Sequence, residues 1–383
     1  KNYMRKEIIK IVVAHGHSSI EVFHSLIPLI LLANESNQFK FKFVDYSFHS
    51  LNNLEGDILI LVRKFHKLDL SNDQNKVLMI NELMGLKKNF SKVIYFDDSA
   101  AVSHILFFIT PYVDSYWVRG LLSNLNDYKK AFYGGRSYSQ YYYDNYDIKD
   151  KNKYLSPLKK GDFPRNIKIA WNIGVGIYPT NKISFFNRNY MKIKKISCIL
   201  SSLPSIKLVY LIIKKYKEEM IRSLKNPIDF SNKKPFISSR FSPKGYYNSV
   251  SFHRKLLLEK IKENKLFLTG KLPHKEYLKE CSKVYGLLSP FGWGEICYRD
   301  FEAIMCGNIL VKPDMSHLVT WPNIYTDDCY LKLDWNFKNL EDINNLLLEK
   351  ETILQSIEKT RTIYLKAINE CSERAKMLIL DVI

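Results

Sequence analysis

No two cysteines of this chain are spaced C-x-x-C, and the six present, Cys198, Cys281, Cys297, Cys306, Cys329 and Cys371, are scattered. That argues against a disulfide framework and reads as single thiols in a reducing compartment. Cys and His show no metal-ligand spacing, so no metal is expected. No apolar run reaches the ~18 residues that a membrane-crossing helix needs. The opening KNYMRKEIIKIVVAHG holds an apolar stretch too short for a secretory segment. A cytoplasmic protein is expected, able to rest on the inner face of the plasma membrane. Acids are scarce too: 39 Asp and Glu stand against 58 Lys and Arg, a net charge of +19. Such a surface suits anions, whether nucleic acid, anionic lipid or a phosphorylated substrate. The Tyr and Lys residues of 130–160 would suit stacking on nucleic acid, but no recognised nucleic-acid motif accompanies them. No nucleic-acid partner is expected.

What is present is alternation. IIKIVVAHG, FKFKFVDYSF, GDILILVRKF and KVIYFDDSA read as strands. IEVFHSLIPLILLA and NDQNKVLMINELMGLKK read as helices between them. The tyrosine-rich FYGGRSYSQYYYDNYD has no helical period and reads as a surface loop or interdomain excursion. A second series follows Pro227: strands at KPFISS, KLFLTG, VYGLLSP and NILVKP, with helices at SVSFHRKLLLEKIKEN, LPHKEYLKECSK and EICYRDFEAIMCG. Two such series imply an α/β protein of two Rossmann-like domains with parallel sheets. The expected division is 1–185 for the first domain and 186–350 for the second. Helices in 351–383 would pack back across both.

The stretch SPFGWGEICYRDFEAIMCGNILVKP concentrates the chemistry. A strand ends at Ser289-Pro290, and Gly292 and Gly294 allow a sharp turn around Trp293 and close approach of a ligand. A helix starting near Glu295 would aim its free N–H groups at the crevice beyond the strand, a position suited to phosphate. At 100° per residue, Glu295, Arg299 and Glu302 share one stripe, and Cys297, Phe301, Ile304 and Met305 the buried face. A solvated i,i+4 pair of Glu295 and Arg299 explains the stripe equally well when it is taken alone.

The run from FLTGKLPHKEYL to NILVKP resembles the nucleotide-binding half of GT-B glycosyltransferases. It shows a strand ending in Gly, a short acidic helix, a strand ending in Ser-Pro, a glycine loop and a helix with Glu302-Ala303-Ile304-Met305-Cys306-Gly307. The resemblance implies two Rossmann-like domains facing across a cleft, 1–185 binding the acceptor and 186–350 the nucleotide sugar. It also implies that Glu302 holds ribose hydroxyls and that Gly292, Trp293, Gly294 and Glu295 face the donor sugar and phosphate. The acid that retaining hexosyltransferases place before a Gly-Phe-Gly loop is absent at Ser289-Pro290. Arg240 and Lys244 stand one residue closer together than the Arg and Lys of that family.

The wording SPFGWGEICYRDFEAI…KPDMSHLVTWPNIY is similar to bacterial enzymes of lipopolysaccharide, O-antigen and capsule synthesis, most of all the retaining β-Kdo transferases. That implies metal-independent transfer from CMP-β-Kdo, no separate cofactor, and a lipid-linked or oligosaccharide acceptor. By position, Asp229 matches the nucleophile and His253 the group assisting CMP departure. These residue types suit double displacement from a phosphate leaving group. Arg240 and Arg254 are phosphate candidates, and Ser316 and His317 could close over the nucleotide. On the acceptor side, His15, His17, Asp97 and Asp98 lie at strand ends and could deprotonate the acceptor. The alternative is a retaining hexosyltransferase using a UDP- or GDP-sugar. A lectin without turnover is the non-enzymatic rival.

Overall fold

The computed structural model describes residues 8–16, 20–46, 51–62, 70–150, 157–158, 161–178 and 206–383. The first sheet takes β1 (Ile9–His15), β2 (Phe39–Asp45), β3 (Gly56–Val62), β4 (Phe90–Asp97), β5 (Ser115–Val118) and, after the short β6 (Gly120–Leu122), β7 (Ile167–Ile169). Its order is β2-β1-β3-β4-β5-β7 and every pairing is parallel. The central strands β1, β3 and β4 carry continuous buried runs, apolar on both faces as a covered parallel sheet requires, while the edge strand β2 alternates Phe and Lys. Val12, Leu59, Leu61, Val93 and Tyr95 face α2 (Asp73–Leu86), which buries Met79, Leu83 and Leu86. Ile11, Val13, Ile58, Ile60 and Phe96 face α1 (Ile20–Glu35), whose Leu26, Ile27 and Ile30 are buried there. Each such side chain contributes roughly 1.5–3 kcal/mol.

The second sheet holds β8 (Lys234–Ser238), β9 (Phe267–Leu268), β10 (Val284–Leu288), β11 (Ile309–Pro313) and, beyond the short β12 (Leu318–Thr320), β13 (Tyr330–Leu333). Its order is β13-β11-β10-β8-β9, again all parallel. Helices α5 (Asn248–Ile261), α6 (His274–Cys281), α7 (Tyr298–Cys306) and α8 (Leu340–Leu348) alternate with it. Gly307 ends α7 at φ 65°, the left-handed turn that favours glycine. The architecture is two Rossmann-like parallel-sheet domains, as expected.

Three contacts set the domains edge to edge. β12 pairs antiparallel with β6. The Asn172 amide donates to the Trp321 carbonyl at 2.7 Å. The loop after β4 touches the loop after β10. All three sites follow the carboxyl ends of strands, so the two carboxyl edges face each other. The last helix, α9 (Lys350–Leu380), runs against α1 on one side and α7 and β11 on the other.

Two expectations change. The tyrosine-rich segment is not a loop: Ser137–Tyr146 is a helix, α3. It buries Tyr138 and Tyr142 at i,i+4 against the second domain. Helix α4 (Ile206–Lys225), inside the span assigned to the second domain, buries Val209, Ile213 and Tyr216 among residues of the first sheet. Its Met220 and Leu224 lie in the cluster that also holds Phe301 and Ile304 of the second domain, and the expected boundary near 185 lies outside the described residues. No helix among the described residues is long and apolar enough to cross a membrane.

Candidate functional site

The seam between the carboxyl edges is built from the loop Phe291–Cys297. The Gly292 amide donates to the Gly294 carbonyl at 3.0 Å, closing a tight turn. A Cβ on Gly294 would stand 1.8 Å from the Ala100 carbonyl oxygen, so only glycine fits where the domains meet. The Arg254 Nε donates to the Phe291 carbonyl at 2.7 Å and its Nη1 to the Ser242 carbonyl at 2.9 Å. The first bond pins the loop and the second ties it to the stretch after β8, so this phosphate candidate is engaged by backbone carbonyls on both sides. Trp293 projects outward, 53% exposed.

Helix α7 begins at Tyr298, with Cys297 as its cap, and not near Glu295. The reason is Asp300, whose carboxylate accepts the Cys297 amide at 2.9 Å and closes a capping box. Phe301, Ile304 and Met305 are buried as expected; Asp300 is buried with them. It accepts from Lys312 at 3.0 Å, Ser289 at 2.5 Å and Tyr325 at 2.7 Å.

Glu295 therefore does not share the helical stripe. It turns into the seam, fully buried, where one carboxylate oxygen accepts the Val102 amide of the first domain at 3.2 Å. Its Oε1 has no hydrogen-bond partner. Burial raises its pKa, opposed by its own and the Val102 amide and by Arg136 and Lys312. Glu302 stays on the groove between α6 and α7, half-buried, and accepts the Tyr277 hydroxyl at 2.8 Å. Beside it the Arg299 Nη2 donates to the Arg240 carbonyl at 2.8 Å. Arg240 is itself clamped to Glu280, with Nε 3.0 Å from Oε1, and reaches the Thr269 carbonyl. Its guanidinium is held at the strand end.

Of the two residues matched to catalysis, Asp229 lies away from the loop and His253 lies buried behind it. Asp229 sits before β8, at the amino edge of the second sheet, away from the seam. It is exposed, and its carboxylate accepts from Ser231 at 2.6 Å and Asn232 at 2.9 Å, a turn-closing role that lowers its pKa. His253 is fully buried. Its Nε2 accepts the Phe291 amide at 3.2 Å, and its Nδ1 lies 2.5 Å from the Tyr142 hydroxyl. That hydroxyl gives its one proton to the Trp335 carbonyl at 2.6 Å, so the proton between them belongs to Nδ1. Burial, then Arg254 and Lys312, push the His253 pKa well down and keep the ring neutral. It joins α3 to the glycine loop and has no proton to offer a leaving group.

The remaining expectations divide. The Ser316 hydroxyl and amide bond Asp314 at 2.7 and 3.0 Å. His317 stacks edge-on against Trp335, and burial lowers its pKa to about 4. Its carbonyl accepts the Ser123 amide at 2.8 Å, so this stretch is fixed into the interdomain strand pair rather than free to close. His15 is buried at the end of β1, its Nδ1 3.1 Å from the Gly16 carbonyl. Asp97 is engaged by the Ser99 amide at 3.0 Å, by its hydroxyl, and by Tyr116 at 2.6 Å. Asp98 lies beside it, 3.6 Å from Arg119 and two residues before Ala100. His17 lies outside the described residues. No group of three His, Cys, Asp or Glu among the described residues is placed to hold a metal.

Sequence reasoning missed Arg136, Tyr138, Tyr142, Asp150, Asp300 and Lys312. Asp150 accepts the Ser249 amide at 2.8 Å and hydroxyl at 2.7 Å, tying the chain after α3 to the start of α5. The tyrosine spacing 138, 142, 146 was the available signal for the first group.

No family model matches this chain, and no curated protein matches it. Solved structures similar to it include a glycosyltransferase from Rickettsia africae ESF-5, at 9% identity over 98% of this chain and 99% of that one, TM-score 0.45. An alpha-glucosyltransferase in complex with UDP is similar at 11% identity over 98% and 99%, TM-score 0.43. A UDP-N-acetylglucosamine 2-epimerase is similar at 8% identity over 98% and 96%, TM-score 0.43. Likeness at this level carries no argument about chemistry; the site has to supply it.

Proposed function

We propose that this chain is a nucleotide-sugar-dependent glycosyltransferase whose donor and acceptor meet at the seam. The observation that carries the reading is the meeting of two parallel-sheet carboxyl edges at Gly294 and Ala100, with the Glu295 carboxylate crossing to the Val102 amide. Open α/β sheets bind ligands at that edge, and two such edges face to face suit two substrates. On the second domain, the groove holding Glu302, Tyr277 and Arg299 takes the nucleotide. Glu302 keeps one oxygen on Tyr277 and offers the other to ribose hydroxyls. On the first domain, Asp98, two residues before Ala100, is assigned the proton of the acceptor hydroxyl.

The CMP-β-Kdo reading took its nucleophile and its leaving-group assistant by position as Asp229 and His253; the Asp229 carboxylate closes an exposed turn before β8, and both His253 nitrogens are engaged within the fold. Transfer of a hexose from a UDP- or GDP-sugar needs neither, so we place it first. Incubation with UDP-, GDP- and CMP-sugars, with released nucleotide quantified, tests this. Release from a UDP- or GDP-sugar supports it. Release confined to CMP-Kdo restores the earlier donor, and no release from any donor with any glycan acceptor rejects the enzyme.

A further inference from the structure

Trp293 is the largest side chain left open at the seam, and it is rigidly mounted. The tight turn between Gly292 and Gly294 fixes its backbone on both sides. The Tyr138 hydroxyl reaches the Gly292 carbonyl at 3.4 Å from the neighbouring helix α3. The indole lies 5.1 Å from the Tyr247 ring, edge-on at 88°, and 5.3 Å from the Tyr246 ring. Each tyrosine is backed by a cation: the Arg254 guanidinium stands 4.2 Å from the Tyr246 centroid and Arg136 4.4 Å from that of Tyr247. Single exposed apolar side chains are ordinary on a protein surface. A half-exposed indole braced by two rings and two guanidinium groups, on a loop where the next residue must be glycine, is a built surface.

We propose that Trp293, with Tyr246 and Tyr247, forms a stacking subsite for a pyranose ring of the glycan acceptor. The identity of that glycan as an acceptor rests on the glycosyltransferase reading; the stacking does not. A pyranose presents C–H groups on one face and hydroxyls around its rim. The indole matches the face, and the tyrosine groups beside it match the rim, with the buried arginines fixing the tyrosine rings from behind. A nucleobase could also stack on an indole. The nucleotide, however, is assigned to the groove of Glu302, Tyr277 and Arg299 between α6 and α7, whereas Trp293 stands on the α3 and α5 side of the loop.

Saturation-transfer NMR with methyl glucopyranoside, methyl galactopyranoside and methyl glucuronide at millimolar concentration tests the subsite, with uridine as the competing ring. The expected result is transfer to pyranoside C–H protons in the wild type. It should fall about fivefold in Trp293→Ala and be largely kept in Trp293→Phe, the scale of one aromatic contact. Circular dichroism checks that both variants fold. No transfer to any pyranoside, equal transfer in Trp293→Ala, or Trp293-dependence for uridine alone would overturn the proposal. Nucleotide binding by the wild type is measured separately. Its absence beside Trp293-dependent pyranoside contact would leave the subsite and remove the enzyme.

Discussion

Glu295 and Asp300 lie on the same short stretch, both fully buried, and their surroundings are opposite. Asp300 stands behind the glycine loop, where Lys312, Ser289, Tyr325 and the Cys297 amide saturate its oxygens. Glu295 stands in front, at the seam, with one oxygen on Val102 and the other unmatched. A buried acid with all its partners holds a fold together; one left incomplete destabilises it unless something arrives to complete it. The rear of the loop is thus a fixed platform, and the front is the side on which we propose that the ligands meet.

The largest expected effect breaks the rear. Asp300→Ala leaves the Lys312 ammonium buried and alone, and should cost about 3–5 kcal/mol in denaturant unfolding. The double variant Asp300→Ala/Lys312→Met should recover part of that loss. A smaller loss than in either single variant would support the coupling.

His253 belongs to the same platform. His253→Ala should cost about 3 kcal/mol through its two lost hydrogen bonds and the space it leaves. Its depressed folded pKa means that stability is fully present above the unfolded value near 6.5 and is lost as pH falls below it toward the folded value. Urea midpoints of the wild type should drop on acidification through that window, and the alanine variant should show less of the drop.

Glu295→Gln sharpens the front. The folded pKa of Glu295 is raised, so its contribution is fully present below the unfolded value near 4.5 and is lost as pH rises through the folded value. The glutamine variant should gain thermal stability at neutral pH, gain none at pH 4.5, and lose turnover. A gain that is equal at both pH values would show that the buried charge is not the cause.

The smallest effect is expected at Asp229. Its carboxylate closes an exposed turn at the far edge of the sheet, so Asp229→Ala should leave sugar transfer unchanged. Abolished transfer in a folded variant would return the nucleophile to that residue.

Much of the fold was legible because it is written in apolar periodicity. The runs ending at Gly16, Asp97, Ser289 and Pro313 are strands of parallel sheets, and Gly307 ends its helix. The misreadings share one cause: polar side chains with tertiary partners. Tyr138, Tyr142 and Tyr146 repeat at helical spacing, but hydroxyls and neighbouring Asn and Asp mask the apolar signal until α5 covers the face. Asp300 carries no local sign of burial, because its partner Lys312 lies on the next strand rather than on its own helix. Glu295 reads as the first turn of a helix because nothing local shows that Asp300 caps the chain at Cys297. His253 matched a catalytic pattern by position, and only the fold shows both its nitrogens occupied.

Calorimetric titration of UDP, GDP and CMP into the wild type and Glu302→Ala tests the central claim most directly. One nucleotide should bind the wild type, and the variant should bind it about 1–3 kcal/mol more weakly while remaining folded, the scale of losing a charged hydrogen bond to ribose. No binding of any of the three, or equal affinity in Glu302→Ala, would contradict a nucleotide-sugar site in the groove beside the seam.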